Sequence, residues 1–214
     1  MTYLQLINAV LVRLRESEVS TSSENAYSTL IGKFINDAKR MVEDAWTWTA
    51  LDTTLTVTTT PGVSLYTVTG SGRRQKDVSV NDATNQARLT NVPASFIQDQ
   101  QQLSTVQNAA PSYYAWTGFD GTDSKIEFFP TPNGAFTIYI NTNVPQAELT
   151  SDNTSILVPT EPVILYAYAR AIAERGEDGG LSTSEAYGLA KSSLADAIAL
   201  EAARQHENDC WVAV

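Results

Sequence analysis

The longest patterned stretch of the chain runs from Ser23 to Trp48. In it Tyr27, Leu30, Ile31, Phe34, Ile35, Ala38, Met41, Val42 and Ala45 recur at three-and-four spacing, which predicts one broad apolar face on a long helix. Thr21 and Glu24 stand at capping-box spacing just before it. A shorter stripe, Leu4, Ile7, Val10, Leu11 and Leu14, predicts a first helix over Thr2 to Ser17 with Thr2 as its cap. The polar run Glu18 to Ser23 joins the two as an antiparallel hairpin. From residue 49 the period shortens to that of strands. Strands are expected over Thr49–Thr60 and Val63–Thr69 as a hairpin around Pro61-Gly62, then over Arg73–Val80 and Ala87–Val92. The Gln-rich run Gln98 to Gln102 reads as a solvated loop, with a helical turn as the other reading. Strands resume over Ser112–Gly118, Lys125–Phe129 and Ala135–Asn143. The last alternates, with Phe136, Ile138 and Ile140 on one face. Glu161 and Pro162 open a third helix that Gly176 ends, and Ser182 with Glu185 caps a last, Ala-rich helix reaching about Gln205.

Helices at both ends and strands between them predict an α+β fold. Terminal helical hairpins, residues 1–48 and 160–207, are expected to pack as a bundle. Residues 49–159 form an inserted antiparallel β region, and residues 208–214 a tail.

Composition narrows the function classes. The 214 residues carry a net charge of −10, which disfavours a protein that wraps nucleic acid through phosphate contacts. Charged residues are 18% of the chain, below the usual quarter, and Thr, Ser, Asn and Gln replace them, as suits surfaces that meet other proteins. The single cysteine, Cys210, leaves no intrachain disulfide and fits a reducing compartment. The start of the chain lacks the basic-then-apolar pattern of a signal peptide, and no run approaches the roughly 20 apolar residues of a membrane span.

Candidate chemistry is sparse. His206 is the only histidine and reads as a solvated surface residue. One His and one Cys outside any CxxC pattern give no zinc set, so no metal or cofactor is expected. Gly70-Ser71-Gly72 lacks the rest of a phosphate loop, and Asp120 to Asp123 reads as an Asx-type turn. The acid pairs Asp77 with Asp82 and Glu127 with Asp152 carry no cleft motif, so no catalytic residue is assigned. Trp46, Trp48, Tyr113, Tyr114 and Trp116 read as core more readily than as sugar-stacking aromatics. The basic cluster Arg73, Arg74 and Lys76 after a glycine turn stands out on an acidic chain. It is either a contact for phosphate or for an acidic surface, or an edge strand kept soluble by charge.

The ordered set of words resembles the tail tubular protein A family, the head-to-tail adaptors or gatekeepers of short-tailed bacteriophages. A long helix closes with Glu43-Asp44-Ala45-Trp46-Thr47-Trp48-Thr49. Then come Pro61-Gly62 with Tyr66, Pro111 with Tyr114, and Ile126, Phe128, Phe129, Pro130 and Pro132. Val144-Pro145 and Leu157-Val158-Pro159 precede an Ala-rich helix. The resemblance implies a structural virion protein at the head-tail interface, assembled in the host cytoplasm, with no enzymatic activity and no cofactor. It implies a homo-oligomeric ring, about twelve copies in the family, between portal protein and tail nozzle. Double-stranded DNA would pass non-specifically through its channel at ejection, and an acidic lining would repel it over a screening length of about 10 Å. Trp211, Val212 and Val214 on a free tail need cover, which the chain's own helices or a partner could give; the resemblance favours docking of the tail Asn208, Asp209, Cys210, Trp211, Val212, Ala213 and Val214 to the portal. The alternative reading is a monomeric β-rich module that binds carbohydrate or protein.

Overall fold

The computed structural model describes residues 1–103, 107–176 and 182–204. The fold is α+β, and the chain divides into two compact units: Met1–Ala50 with Gln146–Val214, and Leu51–Pro145. Residues 146–159, expected with the strands, group with the helices.

The first unit holds α1 (Tyr3–Arg13), α2 (Ala26–Ala45), α4 (Thr160–Arg175) and α5 (Thr183–Ala202). Thr2 caps α1, with Gln5 completing the capping box, and Ser182 and Glu185 do the same for α5. Gly176, at φ 65°, ends α4 in the left-handed conformation that glycine adopts without strain. The start of α2 departs from expectation: Asn25 and Ser28 form its capping box in place of Thr21 and Glu24, and the helix stops at Ala45. Trp48 lies beyond it and donates its indole N–H to the Val42 carbonyl at 2.7 Å, an acceptor from the last turn.

The buried face of α2 carries Ile31, Ile35, Ala38 and Val42 as the spacing predicts, but Phe34 is only half-buried and Met41 is exposed. The reason is rotation of the stripe: Ser28, Asn36, Lys39 and Glu43 are buried instead. Three of them hold the extended return segment that follows the β unit. Asn36 donates to the Leu149 carbonyl at 3.0 Å and accepts from its amide at 2.8 Å. Lys39 Nζ donates to Glu43 at 2.9 Å and to the Gln146 carbonyl at 2.6 Å, while the Gln146 amide donates to Glu43 at 3.1 Å. Gly32 faces Tyr3 of α1; a Cβ there would lie 2.2 Å from the tyrosine oxygen, so only glycine admits this approach.

The second unit is a two-sheet sandwich. One sheet has the order β1-β10-β3-β4, from Asp52–Thr58, Thr137–Asn143, Lys76–Asp82 and Ala87–Arg88. The other is β2-β8-β7-β5, from Leu65–Thr67, Ser124–Phe129, Tyr113–Phe119 and Thr90–Asn91. Val57, Val80, Ile138 and Ile140 of the first meet Tyr114, Ile126 and Phe128 of the second in one core. The expected hairpin of β1 with β2 does not form, because those strands belong to opposite sheets: β1 pairs with β10 and β2 with β8. The expected fourth strand splits at buried Leu89, so β4 stays in one sheet and β5 joins the other. The Gln-rich run belongs to a helix, α3 (Ala94–Leu103), not to a loop. Ile97 anchors it against Ala115 and Phe129 on the outer face of the second sheet, and that burial offsets the weak apolar pattern. A two-residue pair, β6 (Asn108–Ala109) with β9 (Thr131–Pro132), completes the unit.

Two outcomes test this architecture. Lys39→Met should lower the unfolding free energy by about 3–5 kcal/mol in urea titration, because Glu43 stays buried without the Lys39 cation; Lys39→Met with Glu43→Leu should recover only part of it, because both peptide groups of Gln146 then lose their side-chain partners. At the end of α5, buried Glu201 accepts from the Thr49 hydroxyl and, at 2.9 Å, from its amide, which together hold the carboxyl below its ordinary value. Glu201→Gln should therefore cost about 1.5–3 kcal/mol near neutral pH. The difference from wild type should vanish as pH falls below the ordinary glutamate value through the lowered one, measured by melts from pH 7 to 3.

Candidate interaction surfaces

The basic cluster sits where the two sheets exchange the chain. After β2, Gly70 and Gly72 take φ of 85° and 61°, and both amides donate to Asp123 Oδ1 at 3.0 Å. Only glycine adopts these angles readily, so the loop folds over the carboxylate with two N–H groups converging on it. Ser124 fastens the same loop: its amide donates to Ser71 Oγ at 3.0 Å, and its hydroxyl donates to the Gly72 carbonyl at 2.7 Å. Asp120 in turn accepts from the amides of Thr122 and Asp123 at 2.9 and 2.8 Å, the expected Asx-type turn, and these bonds hold its carboxyl below the ordinary value. The β7–β8 turn and the glycine loop thus form one fastened platform.

On it Arg73 is exposed, with its guanidinium 5.5 Å from the centre of the Phe119 ring, while Arg74 and Lys76 are half-buried. The cluster is a loop and the first residue of β3. The structure brings together Arg73 and Phe119, which are 46 positions apart and which the sequence alone did not join. Beside them Asp77 accepts hydrogen bonds from Trp116 Nε1 and from the Tyr114 hydroxyl. Burial pushes the Asp77 carboxyl up despite those bonds, and burial, then Asp77 itself, pushes Tyr114 up to about 12. Asp77 is therefore tied into the sandwich. Asp82 is buried and accepts from the amides of Thr84 and Asn85, a turn-holding role. Of the aromatics, Trp48 and Tyr114 are buried and Trp46 and Trp116 half-buried; Tyr113 reaches the surface beside Phe96 and Phe129.

The second surface is α5. Among its 20 residues only Ala186, Ala190 and Glu201 are buried. Leu189 and Leu200 are 49% and 66% exposed, and Gly188, Ser192, Ala195 and Ala199 are exposed near them, as are Lys191 and Asp196. The sequence marked this helix as Ala-rich, and the structure places its apolar surplus outward. The tail Asn208, Asp209, Cys210, Trp211, Val212, Ala213 and Val214, like His206, lies outside the described residues. No group of three or more metal-ligating side chains occurs among the described residues, and no described helix is long and apolar enough to cross a membrane.

No curated protein matches the chain. One family model does, that of the SU10 adaptor protein, over residues 1–209. Spanning nearly the whole chain, the match takes in both the helical unit and the β sandwich: the chain belongs to the SU10 adaptor protein family, a family of phage adaptor proteins.

Proposed function

We propose that this phage adaptor protein is a ring-forming, non-enzymatic connector at the head-tail interface. Copies of the chain join the portal to the tail nozzle and surround part of the channel through which DNA leaves. The finer likeness is to tail tubular protein A, and it rests on the ordered words from Glu43-Asp44-Ala45-Trp46 to Leu157-Val158-Pro159. The observation that carries the reading is α5: an isolated subunit leaves Leu189 and Leu200 in water on a side that also carries the small residues Gly188, Ser192, Ala195 and Ala199 and the charged Glu185 and Asp196. Packing small-residue faces together brings helices close and removes that apolar surface from water. The overall charge of −10 is compatible with a channel that does not hold DNA.

In this reading Arg73, with Arg74 and Lys76, contacts an acidic neighbouring subunit or the nozzle, and the segment from Asn208 to Val214 docks to the portal. The rival reading, a monomeric module binding carbohydrate or protein, draws on the exposed rings of Tyr113, Phe119 and Tyr139.

Size-exclusion chromatography with light scattering, with and without portal-bearing capsids, separates the two. Ring-sized species with the portal are expected; a monomer under every condition refutes the connector. Ala195→Glu with Leu200→Glu should weaken that assembly by at least about tenfold, with far-UV circular dichroism unchanged. Reversing Arg73, Arg74 and Lys76 to Glu should weaken nozzle or subunit binding most at low salt. If binding is unchanged at all ionic strengths, the patch is ordinary surface.

A further inference from the structure

Strand β1 is the terminal strand of its sheet, and its inner ladder fixes which of its peptide groups point outward. The Val144 amide donates to the Leu51 carbonyl at 3.0 Å and the Thr59 amide to the Phe136 carbonyl at 2.9 Å. Both pairs obey the same register as Leu55 with Ile140 and Val57 with Ile138. In an antiparallel ladder hydrogen-bonded pairs alternate with non-bonded ones. Leu51, Thr53, Leu55, Val57 and Thr59 therefore turn their N–H and C=O groups toward β10. Asp52, Thr54, Thr56 and Thr58 turn theirs away. No hydrogen bond reaches those outward peptide groups among the described residues, and the four side chains are exposed.

Long open edges are normally blunted by lysine, proline, a bulge or brevity. The other terminal strands of the two sheets, β2, β4 and β5, span three, two and two residues. By contrast β1 spans seven, runs in unbroken register, and reads Asp-Thr-Thr-Leu-Thr-Val-Thr, with its only charge at the first position.

We propose that β1 is a pairing site for the β1 edge of a second copy of this chain, joining two sandwiches through one continuous sheet. The edge is self-complementary. Antiparallel pairing about Leu55 sets Thr54 opposite Thr56 of the second copy and Asp52 opposite its Thr58, so all four outward residues exchange hydrogen bonds. Leu55 meets Leu55, and the two Asp52 carboxylates fall at opposite ends, roughly 20 Å apart at strand rise. No like charges oppose each other, and threonine pairs across strands are favourable. Seven paired residues make a contact at the small end of specific interfaces, so the pair is weak and reversible. A two-fold contact closes on itself and cannot propagate round a ring. Edge pairing is thus a property of the unassembled chain, independent of the α5 contact proposed above.

The test is sedimentation of the full chain, without other phage proteins, from about 1 µM to 1 mM. A reversible dimer at the upper end is expected. Thr56→Pro deletes one outward donor and leaves the β10 ladder intact, so its melting temperature should be near wild type while dimerisation weakens at least about tenfold. Thr56→Lys, which keeps the backbone donor and adds charge on the edge, should weaken it likewise if the proline variant folds poorly. Hydrogen exchange across residues 52–58 should slow with concentration in wild type only. A chain that stays monomeric to 1 mM overturns the proposal. So does a dimer that survives in a folded edge variant, or one that Ala195→Glu with Leu200→Glu removes while the edge variants do not.

Discussion

The polar grip of α2 on the returning chain is the interaction from which the helical unit takes its form. A chain that leaves the helices at Ala50 and comes back at Gln146 must lay extended backbone against an apolar bundle before α4 can begin. Unpaired peptide groups there would each cost about 1–3 kcal/mol. Asn36 satisfies both groups of Leu149, and the Lys39–Glu43 pair satisfies both groups of Gln146. The Gln146 side chain then reaches Ser155 and Leu157, and the Thr2–Ser155 bridge ties the start of α1 to the same segment. An apolar α2 face of equal volume would pack the helices but leave this strap without a register.

That grip explains what was and was not legible in the sequence. Helix spacing found Ile31, Ile35, Ala38 and Val42, since apolar side chains announce a face. It missed the burial of Asn36, Lys39 and Glu43, because a buried polar group is recognised only by its partners, and the backbone groups these three hold lie more than 100 positions away. The caps of α1 and α5 were readable, being local. The cap of α2 was misread because Thr21 to Ser28 offers several polar residues at usable spacing and the turn after α1 decides among them. Strand existence was legible and strand pairing was not. Alternation says which side of a strand is buried, but not which of two sheets it joins.

The candidate surfaces divide the same way. Arg73, Arg74 and Lys76 were visible as a run of charge, and the Ala-rich composition of α5 as a tendency to pack closely. Their setting was hidden. The platform under Arg73 depends on Asp123 and Ser124 binding a loop some 50 residues earlier, and Phe119 enters only through the β7–β8 turn. A fastened platform matters for recognition, since a charge held in place spends less ordering entropy on binding than one on a mobile loop.

The neck of the sandwich has a consequence for how such proteins diversify. Entry and exit of the β unit are adjacent, with Leu51 bonded to Val144 and Asp52 to Asn143. A domain whose two ends meet is inserted like a cassette: its interior loops can lengthen, shorten or be replaced without stretching the host. In such an architecture the inserted part can be retuned while the helical part stays constant, so one half of the molecule can acquire new contacts without rebuilding the other.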